Sequence, residues 1–190
     1  MDERVVLGKT GVINVCKHIS RYNLALPWCV GRNVADLACG SGYGSYLMSK
    51  VSNKVIGVDI DRQTIKKANK EFKNKNLSFI CDDITKLLYK NIQTIVSFET
   101  IEHIDNINEI EEFYQSILSK DGILIFSVPI NERNGFNKYH KHTFTIKTAR
   151  KLFSGMNTII EFIQKGVNFY YLDETNLNEP FSYYVSIKQK

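Results

Sequence analysis

Apolar and polar residues follow two alternating periods along the chain. Residues 12–25 place apolar side chains at helical spacing. Residues 33–39 (NVADLAC) form a short, nearly unbroken apolar run that stops at Gly40, the pattern of a strand buried on both faces. A helix is predicted over 43–51, then a second strand over 54–60 (KVIGVDI) that ends in acid. Residues 62–72 carry Ile65, Ala68 and Phe72 on one helical side, and 77–81 and 94–98 are two further strands. Residues 106–118 are an amphipathic helix with Ile107, Ile110, Phe113, Tyr114 and Ile117 on one side. The run GILIFSV over 122–128 is a fifth strand, stopped by Pro129, and 145–153 a helix. Residues 157–163 and 181–187 are two last strands, read as an antiparallel pair at a sheet edge. Such alternation requires right-handed crossovers. The expected class is α/β, a mostly parallel sheet of seven strands with helices on both faces and an antiparallel C-terminal edge pair.

Length and charge narrow this picture. The 190 residues fit one domain over 1–190 with a sizeable core. The net charge of +5 comes from scattered lysines, which fits a solvated basic surface better than a nucleic-acid footprint. Cys16, Cys29, Cys39 and Cys81 form no CxxC pair, so they are expected as buried apolar fillers in a reducing compartment. The first residues, MDERVVLGKTG, carry no apolar run, and nothing approaches a membrane span of about 20 apolar residues. The expectation is a cytoplasmic protein without membrane contact.

The candidate chemistry starts at Asp36-Leu-Ala-Cys-Gly40-Ser-Gly42-Tyr-Gly44, between a strand and a helix. Glycines let backbone lie against a ligand, as many nucleotide sites require. The acid inside this loop disfavours a pyrophosphate and favours a cationic or amino-bearing ligand. S-adenosylmethionine (SAM) carries both a sulfonium and an ammonium. Asp59, followed by Ile60, ends the second strand about 20 residues on, where an acid accepts ribose hydroxyls. Asp83 after the third strand suits an adenine amino group, with Ile84 against the ring. These residues over 33–153 resemble the Rossmann-like SAM-dependent methyltransferase superfamily. The resemblance implies SAM as cofactor and Asp36, Gly40, Gly42, Asp59, Ile60, Asp83 and Ile84 as its contacts.

An acceptor side is expected where the strand order reverses, at the end of the fourth strand. There stand Glu99, Glu102 and His103, which share a face if 99–103 is a helical turn. The polar loop over 131–145 rises from the same edge and brings His140 or His142 towards them. Two arrangements fit. In one, Glu99, Glu102, His103 and His140 hold a divalent ion (magnesium, manganese or zinc) that lowers the pKa of an acceptor hydroxyl. In the other no metal is used, Glu99 lines the cofactor pocket, Glu102 and His103 brace the loop, and His140 is the general base. The pattern ExxEH…H resembles small-RNA 2′-O-methyltransferases and quinone-biosynthesis O-methyltransferases. Glu3-Arg4, His18-Ile-Ser-Arg21-Tyr22 and the segment 137–145 resemble methyltransferases of surface-sugar biosynthesis. That resemblance implies that residues 1–30 lid a core over 31–190 and that Tyr22 and Arg21 contact the methionine end of SAM.

The function expected is O-methylation of a small hydroxylated acceptor, a sugar or nucleotide-sugar foremost, with His140 as base or ligand and Glu99 and His103 in support. An RNA 2′-O-methyltransferase, an N-methyltransferase and a non-catalytic SAM-binding partner protein are the alternatives. A homodimer through the last strands is a further expectation. Phe169-Tyr-Tyr171 and Tyr183-Tyr184 are read as edge-strand packing.

Overall fold

The computed structural model describes residue 8 and residues 10–132, 137–173 and 182–190. The Glu3-Arg4 pair and the start of the 181–187 strand lie outside these. Among the described residues eight strands form one sheet: β1 (Asn33–Leu37), β2 (Lys54–Asp59), β3 (Leu77–Cys81), β4 (Ile92–Phe98), β5 (Leu118–Ile130), β6 (Asn157–Lys165), β7 (Asn168–Tyr171) and β8 (Ser182–Gln189). The order is β3-β2-β1-β4-β5-β8-β6-β7. The first five strands are mutually parallel, and β8 runs antiparallel between β5 and β6. Five α-helices of the described residues accompany them: α1 (Val12–Ala25), α2 (Tyr43–Met48), α3 (Arg62–Glu71), α4 (Ile107–Ile117) and α5 (Ile146–Ala149). No helix of the described residues is long and apolar enough to cross a membrane.

The α/β class is as expected, but the strand count rises from seven to eight. The eighth is β7, four largely exposed residues that fold back on β6 through Gly166, whose φ of 61° permits the tight turn. The C-terminal pair is also not at the edge. β8 is buried, with Tyr184, Val185 and Ile187 at 0–1% exposure, because it must fill the gap between β5 and β6. β5 runs through Pro129 to Ile130, beyond its last rung to β4 at Phe98↔Ser127. The helix predicted over 145–153 shortens to α5. Beyond it the chain turns and sets Phe153, with φ 54°, against Tyr114 in the core at 5.5 Å between ring centroids.

Apolar side chains fill both faces of the sheet. Leu37, Ile95, Leu124, Phe126 and Phe153 belong to one cluster, and Val34, Val96, Ile125, Met48 and Tyr22 to a second. The reversal of strand order between β1 and β4 opens a crevice at their C-terminal ends. Every candidate residue belongs to a segment at or beyond that edge, or to α1.

Candidate active site

The glycine loop is shaped by local strain and close packing. Ala38, Gly40 and Gly42 all take positive φ (61°, 54° and 85°), a sharp turn from β1 into α2. A Cβ on Gly42 would come within 2.7 Å of Phe79 and 2.8 Å of Ala68, and one on Gly44 would strike the Tyr22 ring. A Cβ on Gly40 would meet nothing within 4 Å, so that face of the loop is open. Asp59 spans the turn: Oδ2 accepts from Gly40 N–H at 3.0 Å and Oδ1 from Asp61 N–H at 2.9 Å. Ile60 beside it is 71% exposed, an apolar side chain with no protein cover.

Asp36 sits deeper than a cofactor contact would need. It is 1% exposed, and its carboxylate accepts from Ser45 Oγ at 2.6 Å and Tyr22 OH at 3.3 Å. Asp36 and Tyr22 therefore tie α1 to the glycine loop beneath the open face. Burial pushes the Asp36 carboxyl up to about 7, opposed by the Ser45 and Tyr22 bonds and reinforced by Asp59. An acid whose folded pKa is raised loses stability as pH climbs from its unfolded value of 3.8 through 7, at up to about 1.4 kcal/mol per unit. The stability of Asp36→Asn relative to the parent chain should thus rise between pH 5 and pH 7, measured by denaturation at each pH. A constant difference would mean that Asp36 ionises normally.

Asp83 and Ile84 begin the turn after β3. Asp83 accepts from Thr85 N–H at 3.0 Å and Thr85 Oγ1 at 2.8 Å, and Lys86 lies 3.4 Å away. These partners hold its carboxyl below the usual range. The side chain is one-third exposed, while Ile84 is buried at 7%.

The acceptor side is built on two left-handed residues, Glu99 (φ 51°) after β4 and Asn131 (φ 55°) after β5. Ser127 Oγ donates to Glu99 Oε1 at 2.7 Å. Burial raises the Glu99 carboxyl, against the pull of Arg21 and the Ser127 bond. The helical turn expected here is a 3-10 turn over Ile101–His103. Its Glu102 carbonyl accepts from Lys141 N–H at 2.8 Å and His142 N–H at 3.2 Å, which docks the histidine loop against it.

Glu102 is fully buried, and neither carboxyl oxygen has a partner of hydrogen-bond geometry among the described residues. Its own N–H gives slight help, and burial with the Glu99 charge raises its carboxyl well above the usual value. Glu102, His103 and His140 bring one ligand atom each to within 4.8 Å of one another. Among the described residues Glu99 does not join this triad, which corrects the four-residue set. Its left-handed turn directs the carboxyl to Ser127 instead. His142 is also placed apart, with Nε2 on the Ile104 carbonyl at 2.8 Å.

His140 is the most constrained of these side chains. Nδ1 lies 2.6 Å from Glu132 Oε2, with both side chains at or below 10% exposure. Asn137 Nδ2 lies 2.8 Å from Nε2, and the His103 ring packs edge-on at 4.9 Å. A carboxylate accepts only, so Nδ1 carries the proton, and the Asn137 amide marks Nε2 as the acceptor nitrogen. Sequence reasoning did not assign Glu132, Asn137, Ser45 or Ser127. Glu132 had one signal, an acid two residues past the end of a strand at the C-terminal edge.

A family model described as "Methyltransferase domain" matches residues 30–175. The chain is 33% identical over 97 residues to malonyl-[acyl-carrier protein] O-methyltransferase of Bacillus cereus, covering 50% of this chain and 36% of that protein. It is 23% identical over 147 residues to ubiquinone biosynthesis O-methyltransferase of Actinobacillus pleuropneumoniae, covering 73% and 57%. The chain spans less than half the length of the first curated relatives that it matches. The crystal structure of the N-methyltransferase NodS from Bradyrhizobium japonicum with S-adenosyl-L-homocysteine (SAH) superposes with a TM-score of 0.75. It covers 100% of this chain and 93% of that one at 12% identity.

Proposed function

Because the chain belongs to the methyltransferase domain family, and so to the class I SAM-dependent methyltransferases, we propose that it methylates a hydroxyl of a small acceptor, a sugar or nucleotide-sugar foremost. The single observation that carries this reading is the Glu132–His140–Asn137 arrangement. It supports a neutral imidazole held in one tautomer, its acceptor nitrogen beside the crevice at the end of β4.

The open face at Gly40, Asp59 and the bare apolar Ile60 supports a SAM site over the ends of β1 and β2. When bound, SAM supplies an electrophilic methyl group on a sulfonium. Asp59 would take the ribose hydroxyls, exchanging at least one of its backbone partners for them. Asp36 and Tyr22 act one layer beneath, setting the loop and the position of α1. On the acceptor side, His140 Nε2 receives the hydroxyl proton as the acceptor oxygen bonds to the methyl carbon. The bound SAM would give up its methyl group with the carbon–sulfur electron pair staying on sulfur, and would leave as SAH. Glu132 stabilises the imidazolium so formed. Glu99 and His103 line the approach and contribute mainly by alignment.

One observation favours a second reading. The unpartnered, buried Glu102 carboxyl with His103 and His140 suits a divalent cation, and Glu132 behind His140 is the outer carboxylate that such ligands use. The three residues fit a mixed N/O set, and an ion there would lower the pKa of an acceptor hydroxyl. The deciding experiment is methyl transfer from labelled SAM to hydroxylated sugars and nucleotide-sugars, with and without chelator and added manganese. Transfer that resists chelation supports His140 as a metal-free base. Transfer lost to chelator and restored by manganese supports the ion. Transfer to RNA or amines alone would contradict the acceptor class.

A further inference from the structure

The lysines that read as scattered along the sequence gather at one edge of the sheet. The parallel strands β1 to β4 all start at that edge. The segments that lead into them, 30–33, 49–54, 71–77 and 87–92, hold Arg32, Lys50, Lys54, Lys73, Lys75 and Lys90 against one acid, Glu71. Lys54, Lys73, Lys75 and Lys90 are exposed and make no ion pair among the described residues. The opposite edge holds Asp59, Asp61, Asp82, Asp83, Glu99 and Glu102. The net charge of +5 is therefore polarised, with these cations on the side away from the candidate active site.

That edge is tied together and carries apolar tips. Gly31 N–H donates to the Val51 carbonyl at 2.8 Å and Asn53 N–H to the Arg32 carbonyl at 2.9 Å. Asn76 Nδ2 donates to the carbonyls of Ser49 and Ser52 at 3.0 and 2.7 Å, and Asn74 Nδ2 to Ser49 Oγ at 3.0 Å. These bonds join the turns before β1, β2 and β3 into one platform. Among its cations stand Val30 at 62% exposure and Val51, and the segment before β4 adds Leu88 at 98% and Tyr89. A hollow of about 110 Å³ lies between Lys54, Tyr89, Lys90 and Asn91, with Val34 and Ile56 in its lining. A hollow flanked by two ammonium groups and no carboxylate suits a phosphate.

We propose that this edge docks on an anionic phospholipid surface, with its lysines over the headgroups and Val30, Leu88 and Tyr89 in the interface. Cations drawn to a negative bilayer, and bare apolar side chains that leave water on contact, are the two terms of peripheral membrane binding. A nucleic-acid surface would use the cations but not the aliphatic tips, since bases stack on planar side chains. The direction of the chain agrees. β1 and β2, five and six residues long, put about 17–20 Å between this edge and Asp59, so a docked chain keeps its crevice facing water. The sequence expectation of no membrane contact rested on the lack of a spanning segment, and a surface that lies on a bilayer needs none.

The test is flotation of the full chain with vesicles of phosphatidylcholine and phosphatidylglycerol in equal parts, beside vesicles of phosphatidylcholine alone. The mixed vesicles should take up about tenfold more protein or better, and high salt should release it. Lys54→Glu with Lys90→Glu should lower uptake about tenfold, and Leu88→Ser about threefold. Lys66→Glu with Lys67→Glu makes the same charge change on the exposed side of α3 and should lower uptake by less than about threefold. Three results overturn the proposal. One is wild-type protein that shows no preference for the mixed vesicles. Another is equal losses from the two lysine pairs, which would make the effect one of net charge. The third is binding of polyuridylate without vesicle uptake, lost with the Lys54 and Lys90 changes and kept in Leu88→Ser, which would give the surface to nucleic acid. None of these outcomes bears on methyl transfer.

Discussion

His140→Ala should reduce kcat by about 10²- to 10⁴-fold while leaving SAH affinity within about threefold. Glu132 at 2.6 Å fixes the proton on Nδ1, so Nε2 offers a lone pair. The Asn137 amide satisfies that lone pair, and an acceptor hydroxyl would take its place. Truncation to alanine removes the lone pair and leaves Glu132 without its partner. It touches neither the glycine loop nor Asp59. Glu132→Gln should follow with a smaller loss, since an amide can still meet Nδ1 without stabilising the imidazolium. Steady-state kinetics beside SAH titration separates the two effects, and an unchanged kcat in His140→Ala would remove this residue from the proton transfer.

The second large effect is expected at Asp59. Asp59→Ala should weaken SAH by about 1–3 kcal/mol, or about 5- to 150-fold, through lost charge-assisted hydrogen bonds. Asp59 also has a structural task, because its two oxygens hold the N–H groups of Gly40 and Asp61. Its removal thus loosens the turn at Gly40 and the N-terminus of α3 as well as removing the proposed ribose contact. Asp61, which caps α3 through Gln63 and Thr64 N–H, is a control of similar chemistry. Asp61→Ala should cost stability of the order of 1 kcal/mol and little SAH affinity. Equal affinity losses in the two variants would mean that the Asp59 effect is structural.

The parts of this molecule legible in its sequence are those fixed by neighbours along the chain. The runs at 33–39 and 54–60 are mostly apolar because β1 and β2 are covered on both faces, so their strands were predictable within a residue or two. Gly42 could be assigned to a sharp turn for the same local reason, and its φ of 85° agrees. The position of β8 was not legible, since pairing between β5 and β6 is decided by which strand can be buried there and not by a local period. The short β7 failed for another reason: four largely exposed residues carry no alternation to read.

In the site, residue types were easier to read than their surroundings. Asp36 has the right identity and loop position, yet Tyr22 and Ser45, brought in from α1 and α2, close over its carboxylate. Glu99, Glu102 and His103 were legible as a cluster from their spacing. The left-handed φ at Glu99 and the bond its carboxyl accepts from Ser127, on a different strand, have no counterpart in that spacing. Glu132 stands eight residues before His140, with no spacing rule to join them. Only the fold of the loop after β5 does so.

The central claim is that the hollow at Gly40, Asp59 and Ile60 binds the SAM nucleoside. Calorimetric titration of the purified protein with SAH tests it most directly. Saturable uptake of one SAH per chain, lowered by Asp59→Ala, is the predicted result. No saturable uptake of SAH or SAM by folded protein would contradict it.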